Sequence, residues 1–324
     1  MEMKAPIFVA FVAWVVLGAA SGVGLDAQSV APSAAEKPGS VVDIGERTRI
    51  ILDVTRVNML FTVTDKKGRF VTDLGREDFQ VLENKKPQSI AEFTAETDLP
   101  LRLGILIDTS NSIRDRFKFE QEAATSFVRS VVHRGRDKAM VVSFDTSTEL
   151  VADLIDDTDK LEAAIRSLRA GGGTALYDAL YFACRDKLSK DQPRHKFRRA
   201  IVIVSDGDDN QSQVSRDQAL EMAQKADVVI YAISTNITHA ETDGDKVLKY
   251  LTVETGGQAF FPFKAEDLEQ SFENIANELR HQYNIFYRPE PLKADGLYHT
   301  VELKVKGRKE LVVRCRKGYY APKL

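Results

Sequence analysis

The chain has 324 residues, of which 43% are hydrophobic and 29% are charged, and its formal net charge is −3. This length suggests about two domains, and the composition is that of an ordinary globular protein with enough apolar residues for a core. The net charge of −3 gives no electrostatic argument for binding nucleic acid, which would require a basic face. The two cysteines, Cys184 and Cys315, are too few for a disulfide-rich scaffold or a four-cysteine zinc site.

The N-terminus has the features of a secretory signal. Lys4 precedes an apolar run that ends in a stretch rich in glycine, alanine and serine, and this order is typical of export signals. We predict a signal peptide over 1–27, with cleavage after Ala20 or after Ala27. An uncleaved membrane anchor is the alternative, because 5–25 is almost long enough to span a bilayer core of ~30 Å.

Two segments with a β-type pattern flank the middle of the chain. The first, over 48–98, follows a flexible linker over 28–47 and contains turn signals such as DKKG at 65–68. The second covers 282–324. Each is about 45 residues long and therefore too small to hold a good core alone. We predict that they pair into one β-sandwich, and two separate β appendages are the alternative.

Strands and helices alternate between these segments, over 99–281. A third helix is predicted over 176–188, a last strand over 258–263, and a short partner strand near Thr148. Alternation of this kind predicts an α/β domain with a doubly wound, mostly parallel, Rossmann-like sheet that helices cover on both faces. The β-sandwich would then flank this domain or hold it as an insertion.

Five polar side chains occur where predicted strands end or a helix begins. Asp108, Ser110 and Ser112 follow the first apolar strand of the α/β domain, Thr174 follows three glycines, and Asp206 follows another apolar strand. Ligands bind at the carboxyl ends of the strands in a doubly wound sheet. We therefore expect these five residues to cluster at one edge of the sheet.

All five side chains offer oxygen atoms as metal ligands. Mg²⁺ prefers six oxygens at ~2.1 Å and keeps several waters, and the absence of histidine and cysteine from this group argues against zinc or copper. The glycines before Thr174 allow the backbone to come close to an ion. The sequence thus predicts a divalent-cation site, with Mg²⁺ preferred and Mn²⁺ or Ca²⁺ as alternatives.

Simpler roles exist for the same residues taken one at a time. Asp108 and Ser110 could cap a helix, and Asp206 could belong to an ordinary turn, but neither role explains Thr174 after three glycines. We interpret the acidic stretch at 208–210 as a solvated loop and not as an extension of the metal site.

The sequence resembles the von Willebrand factor type A domain. DTSNS at 108–112, GGT at 172–174 and SDG at 205–207 look like the metal-ion-dependent adhesion site (MIDAS) of that family. The order of helices and strands over 101–279 is also similar. The flanks resemble those of exported bacterial proteins with a related type A domain, in the stretches VTDKKGRFVTDLGREDFQVLENKKPQSI and VRCRKGYYAP.

This resemblance implies binding without catalysis. Asp108 and Asp206 would hold the cation mostly through water, Ser110 and Ser112 directly, and Thr174 directly or through water, while a partner's Asp or Glu fills the remaining position. The implied protein is a non-enzymatic, adhesion-type module of the bacterial cell envelope, exported to the periplasm or the cell surface. Its partner would be a protein that presents a carboxylate. The protein itself would have no membrane span after signal cleavage, and its oligomeric state is left open.

Two other functions compete with this interpretation. The first is a structural or assembly component in which the cation has a purely structural role and only holds loops together. The second is an enzyme, with a metal-dependent hydrolase as one form. Gly-x-Ser-x-Gly, which a serine hydrolase would need, is absent, and 171–173 lacks the Gly-Lys-Ser/Thr ending of a phosphate-binding loop.

Overall fold

The computed structural model describes residues 56–95, 99–111, 114, 116–193, 196–236, 238, 240–262 and 264–323. The predicted signal peptide over 1–27, the predicted linker over 28–47 and Ser112 lie outside the described residues. The predicted fold class is confirmed, because a mostly parallel sheet with helices on both faces is accompanied by antiparallel sheets.

Fourteen strands lie within the described residues: β1 (Val57–Thr64), β2 (Phe79–Glu83), β3 (Lys86–Gln88), β4 (Ile90–Thr94), β5 (Leu101–Asp108), β6 (Lys138–Phe144), β7 (Thr148–Ile155), β8 (Arg198–Ser205), β9 (Val228–Ser234), β10 (Ala259–Phe260), β11 (Tyr283–Tyr287), β12 (Tyr298–Val305), β13 (Val312–Cys315) and β14 (Gly318–Tyr320). Six α-helices lie within the same residues: α1 (Phe117–Val131), α2 (Thr158–Ser167), α3 (Leu176–Phe182), α4 (Arg216–Lys225), α5 (Asp243–Thr255) and α6 (Ala265–Arg280).

The central sheet has six strands in the order β10-β9-β8-β5-β6-β7. β7, the predicted short strand near Thr148, pairs antiparallel with β6, and the other neighbours are parallel. Residues of β5 alternate between two apolar clusters: Leu103 and Ile105 pack with α1, α2 and α6, whereas Leu106 packs with α3, α4 and α5. Side chains that alternate in this way bury both faces of the strand, which explains the apolar run at 105–107.

Helix α5 shows how local sequence sets the ends of an element. The Thr242 hydroxyl accepts a hydrogen bond from the Asp245 amide at 3.1 Å, and the Asp245 carboxylate accepts one from the Thr242 amide at 3.0 Å. This reciprocal pair satisfies two backbone donors that a helix start leaves open. The helix ends at Gly256, whose φ of 87° is a left-handed conformation that favours glycine.

Two predicted elements differ from the structure. The last strand of the sheet, predicted over 258–263, pairs only at Ala259 and Phe260 in the described residues, and Pro262 has no amide hydrogen to extend the ladder. The helix predicted over 176–188 is α-helical only to Phe182 and continues as a π-helical turn. Nothing in the sequence explains that turn.

Strands from the two ends of the chain pair with each other. β1 lies between β11 and β13 in one antiparallel sheet, and β2 lies beside β12 in a second antiparallel sheet. Both sheets contribute to one apolar cluster, in which Phe61 stacks on Tyr283 with ring centroids 5.2 Å apart. The boundaries predicted at 98/99 and 281/282 stay predictions.

A buried ion pair joins α6 to the antiparallel sheet that contains β1 and β13. The Glu278 carboxylate is 1% exposed and accepts hydrogen bonds from the Thr62 hydroxyl at 2.9 Å and from Arg314 Nε at 3.0 Å. Burial raises the pKa of Glu278, and the Arg314 charge opposes that rise. The helix that closes the α/β part is therefore held by strands from both ends of the chain.

Gly256 provides a test of the contact between α5 and the C-terminal strands. A Cβ there would lie 2.5 Å from the Arg316 amide nitrogen, whereas a Cβ at Gly307, which also has positive φ, would meet nothing within 4 Å. We expect Gly307→Ala to lower the free energy of unfolding by about 1–2 kcal/mol through backbone strain alone. Gly256→Ala should lower it by about a further 1–3 kcal/mol through overpacking.

Urea denaturation of the two variants measures this difference. Equal losses of stability would contradict the close packing of α5 against β13.

Candidate metal centre

Asp108 lies at the carboxyl end of β5, next to the end of β8. Its side chain is 0% exposed. One carboxylate oxygen accepts a hydrogen bond from the Ser110 amide at 2.8 Å, and the other accepts one from the Ser205 hydroxyl at 2.6 Å. Ser205 Oγ in turn accepts a hydrogen bond from the Gly207 amide at 3.0 Å. The carboxylate is therefore fixed before any ligand arrives.

The surroundings of Asp108 make its negative charge unfavourable. Burial raises the pKa of Asp108 to about 6, the hydrogen bonds from Ser205 and Ser110 lower it, and the Asp206 charge raises it. A folded-state pKa above the ordinary value means that the ionised carboxyl destabilises the fold once the pH exceeds that ordinary value. A bound cation at this edge would offset that cost.

Thr174 follows the glycine loop and is 5% exposed. Its amide donates a hydrogen bond to Asn210 Oδ1 at 3.1 Å, and its carbonyl accepts hydrogen bonds from the amides of Asn210 and Gln211, each at 3.0 Å. Asn210 is exposed, as a solvated loop predicts, and it also holds Thr174 in place through these hydrogen bonds.

The glycine loop also contacts the loop after β5. The Gly171 amide donates to the Thr109 carbonyl at 2.6 Å, and the Asn111 amide donates to the Gly172 carbonyl at 3.3 Å. Gly172 has a φ of 88°, and a Cβ there would lie 2.9 Å from the Thr146 hydroxyl. Glycine is thus required where the loops meet.

Four of the five predicted ligands lie at this one edge of the sheet. Asp108, Ser110 and Thr174 are buried, and Asp206 is half-buried, with Oδ1 accepting a hydrogen bond from the Asp208 amide at 3.1 Å. Ser112 is outside the described residues. The assignment of all five as cation ligands stays a prediction.

The donor chemistry of this edge fits a hard divalent cation. Carboxylate and hydroxyl oxygens come from three loops, and Asp108 is buried with no positive side chain among the hydrogen-bond partners that the described residues provide. In the described part of the chain, no three His, Cys, Asp or Glu side chains converge closely enough to hold an ion. Hydroxyls and waters would therefore complete the coordination, as Mg²⁺ sites allow.

The sequence did not predict the role of Ser205 or the burial of Glu120. Ser205 precedes Asp206 in the motif, yet its hydroxyl is what orients Asp108. Glu120 is an acidic residue in the apolar stripe of α1, between Phe117 and Ala124. Its position at helical spacing from these buried residues is the signal that could have identified it.

Comparisons with known proteins identify the class of this fold. Residues 103–208 match the family described as the von Willebrand factor type A domain, a segment that includes all five predicted ligands. A solved structure of a von Willebrand factor type A protein from Catenulispora acidiphila is 14% identical, with a TM-score of 0.50 over 74% of this chain and 72% of that chain. Residues 103–208 therefore contain a segment that matches this family, and the solved structure shows that the fold is similar.

Two further similarities are more limited. An uncharacterized protein of Borreliella burgdorferi is 27% identical over 129 residues, which are 38% of this chain and only 35% of that relative. Proximal thread matrix protein 1 of the mussel byssus, solved with a zinc-occupied MIDAS motif, is 17% identical, with a TM-score of 0.49 over 59% of this chain and 49% of that chain.

Asp108→Asn tests the cation site directly. The amide keeps the shape of the carboxyl but removes its charge. We expect Mg²⁺ at about 100 times its Kd to raise the free energy of unfolding of the unchanged protein by about 2.7 kcal/mol. The variant should remain folded, and Mg²⁺ should not raise its free energy of unfolding.

Thermal unfolding with Mg²⁺ and with a chelator gives this comparison. Equal stabilisation of both proteins by Mg²⁺ would exclude Asp108 from the site.

Proposed function

We propose that this protein is a non-enzymatic, metal-dependent protein-binding module that captures a partner's Asp or Glu carboxylate at the sheet edge formed by β5 and β8. The single observation that carries the proposal is the buried, preoriented Asp108 among hydroxyl donors from three loops. A cation bound there would supply the positive charge that attracts a carboxylate. The family match supports a protein-interaction role.

The proposed ligands divide by chemistry. Ser110, Ser112 and Thr174 would offer hydroxyl oxygens to the cation, and Asp108 and Asp206 would act mostly through water. Mg²⁺ is the proposed ion because the donors are all hard oxygens. Two carboxylates only just balance the charge of a divalent cation. A third carboxylate, from a partner, is still attracted because the cation is poorly hydrated in its cleft.

A purely structural cation is a weaker alternative. Direct hydrogen bonds already tie the loops together, from Gly171 to Thr109, from Asn111 to Gly172 and from Thr174 to Asn210. These hydrogen bonds connect the loops of this edge without the need for a bound cation.

We also propose that the protein is exported and acts in the periplasm or at the cell surface. The residue pattern over 1–27 supports this location. Among the helices of the described residues, none combines the length and apolar character needed to cross a bilayer.

A capture experiment tests the proposed function. The immobilised protein is incubated with an envelope extract from its source cells, with Mg²⁺ or with a chelator. We expect a partner to be retained only with Mg²⁺ and only by the unchanged protein and by Asp243→Asn, whose exposed carboxylate pairs with Lys246. Asp108→Asn should retain none.

Retention that survives both the chelator and Asp108→Asn would rule out capture at this edge.

A further inference from the structure

Glu120 lies in the first turn of α1 and is only 2% exposed. It shares the buried stripe of the helix with Phe117 and Ala124. Neither carboxyl oxygen of Glu120 has a hydrogen-bond partner among the residues that the structure describes. A buried carboxyl without partners is unfavourable, and each such group in a native protein requires an explanation, of which a nearby ion or water is one.

A series of hydrogen bonds places this turn beside the candidate metal centre. The Glu120 amide donates to the Arg116 carbonyl at 3.1 Å, and Arg116 Nη1 donates to the Thr235 carbonyl at 3.3 Å. The Thr235 amide donates to the Ser205 carbonyl at 3.1 Å, and the Ser205 hydroxyl holds Asp108. The Thr235 hydroxyl is also buried and lacks a partner in the described part of the chain.

The charges of the metal centre act on Glu120. Burial is the largest cause that raises the pKa of Glu120 to about 8; the Asp108 and Asp206 charges raise it further, and Arg116 lowers it. Coupling of this kind is expected when carboxyls lie close together in a poorly solvated region.

We propose that Glu120 is a third carboxylate of the divalent-cation centre, outside the five-residue motif. This inference rests on the cation site of the proposed function. Because no three acidic, His or Cys side chains in the described residues converge on one ion position, Glu120 acts through its charge and through water. Outer residues that hydrogen-bond a metal ligand typically change metal affinity by about 10–100-fold, and a carboxylate that acts through water is expected at the lower end of that range.

A third carboxylate has opposite effects on the two ligands of the site. A bound cation favours the ionised form of this buried carboxyl, and its negative charge then attracts the cation and opposes the carboxylate of an incoming partner. Glu120 would therefore strengthen retention of the cation and weaken capture of the partner.

Isothermal titration calorimetry with Mg²⁺ tests this role. We expect Glu120→Gln to weaken Mg²⁺ binding by about 10-fold or more. Glu122→Gln, which removes the same charge from an exposed position on the same helix, should leave the affinity unchanged. In chelator, Glu120→Gln should melt no lower than the unchanged protein, because it removes a buried carboxyl that lacks a partner.

The outcomes separate this inference from the proposed function. Equal Mg²⁺ affinity of Glu120→Gln and the unchanged protein would overturn the role of Glu120 and leave the cation site intact. Failure of the unchanged protein to bind Mg²⁺ would overturn the site itself. If Glu120→Gln fails to fold, Glu120→Met takes its place in the same titration, because methionine also removes the charge. A lower melting temperature of both variants in chelator would make Glu120 structural and overturn the inference.

Discussion

The burial of the Asp108 carboxylate is the constraint on which the functional edge depends. The Ser110 amide and the Ser205 hydroxyl hold it at the end of a fully buried strand. Hydrogen bonds to the Asp108 carboxylate stabilise its negative charge, whereas the neighbouring Asp206 charge destabilises it. The fold thus maintains negative charge where it is costly, and a hard cation is the simplest compensation. A site of this kind is prepared for its ligand before binding.

The spacing of the motif made much of this edge predictable. Asp108 and Asp206 each follow an apolar run long enough for a buried strand, and the ends of parallel strands meet at one edge. The clamp between Thr174 and Asn210 was not predictable, because it depends on how two loops fold back on each other. Glu120 was overlooked although it stands at helical spacing from Phe117 and Ala124, because glutamate is rarely buried and an acidic residue in an apolar stripe is ordinarily assigned to the exposed side.

The pairing of the chain ends was predictable in outline only. Segments of about 45 residues need a partner to bury their apolar faces, which favours one shared core. The sequence does not reveal that β1 lies between β11 and β13, or that Glu278 pairs with Arg314. Strand order and buried ion pairs depend on long-range register, which alternation of residue types does not specify.

Anomalous diffraction from crystals soaked in Mn²⁺ measures the central claim most directly. The account predicts one peak at the carboxyl end of β5, at direct coordination distance from the hydroxyls of Ser110 and Thr174, with Asp108 facing it and one coordination position open to solvent. A soaked crystal with no peak at that edge, or a peak whose coordination is closed by the chain itself, would contradict the account.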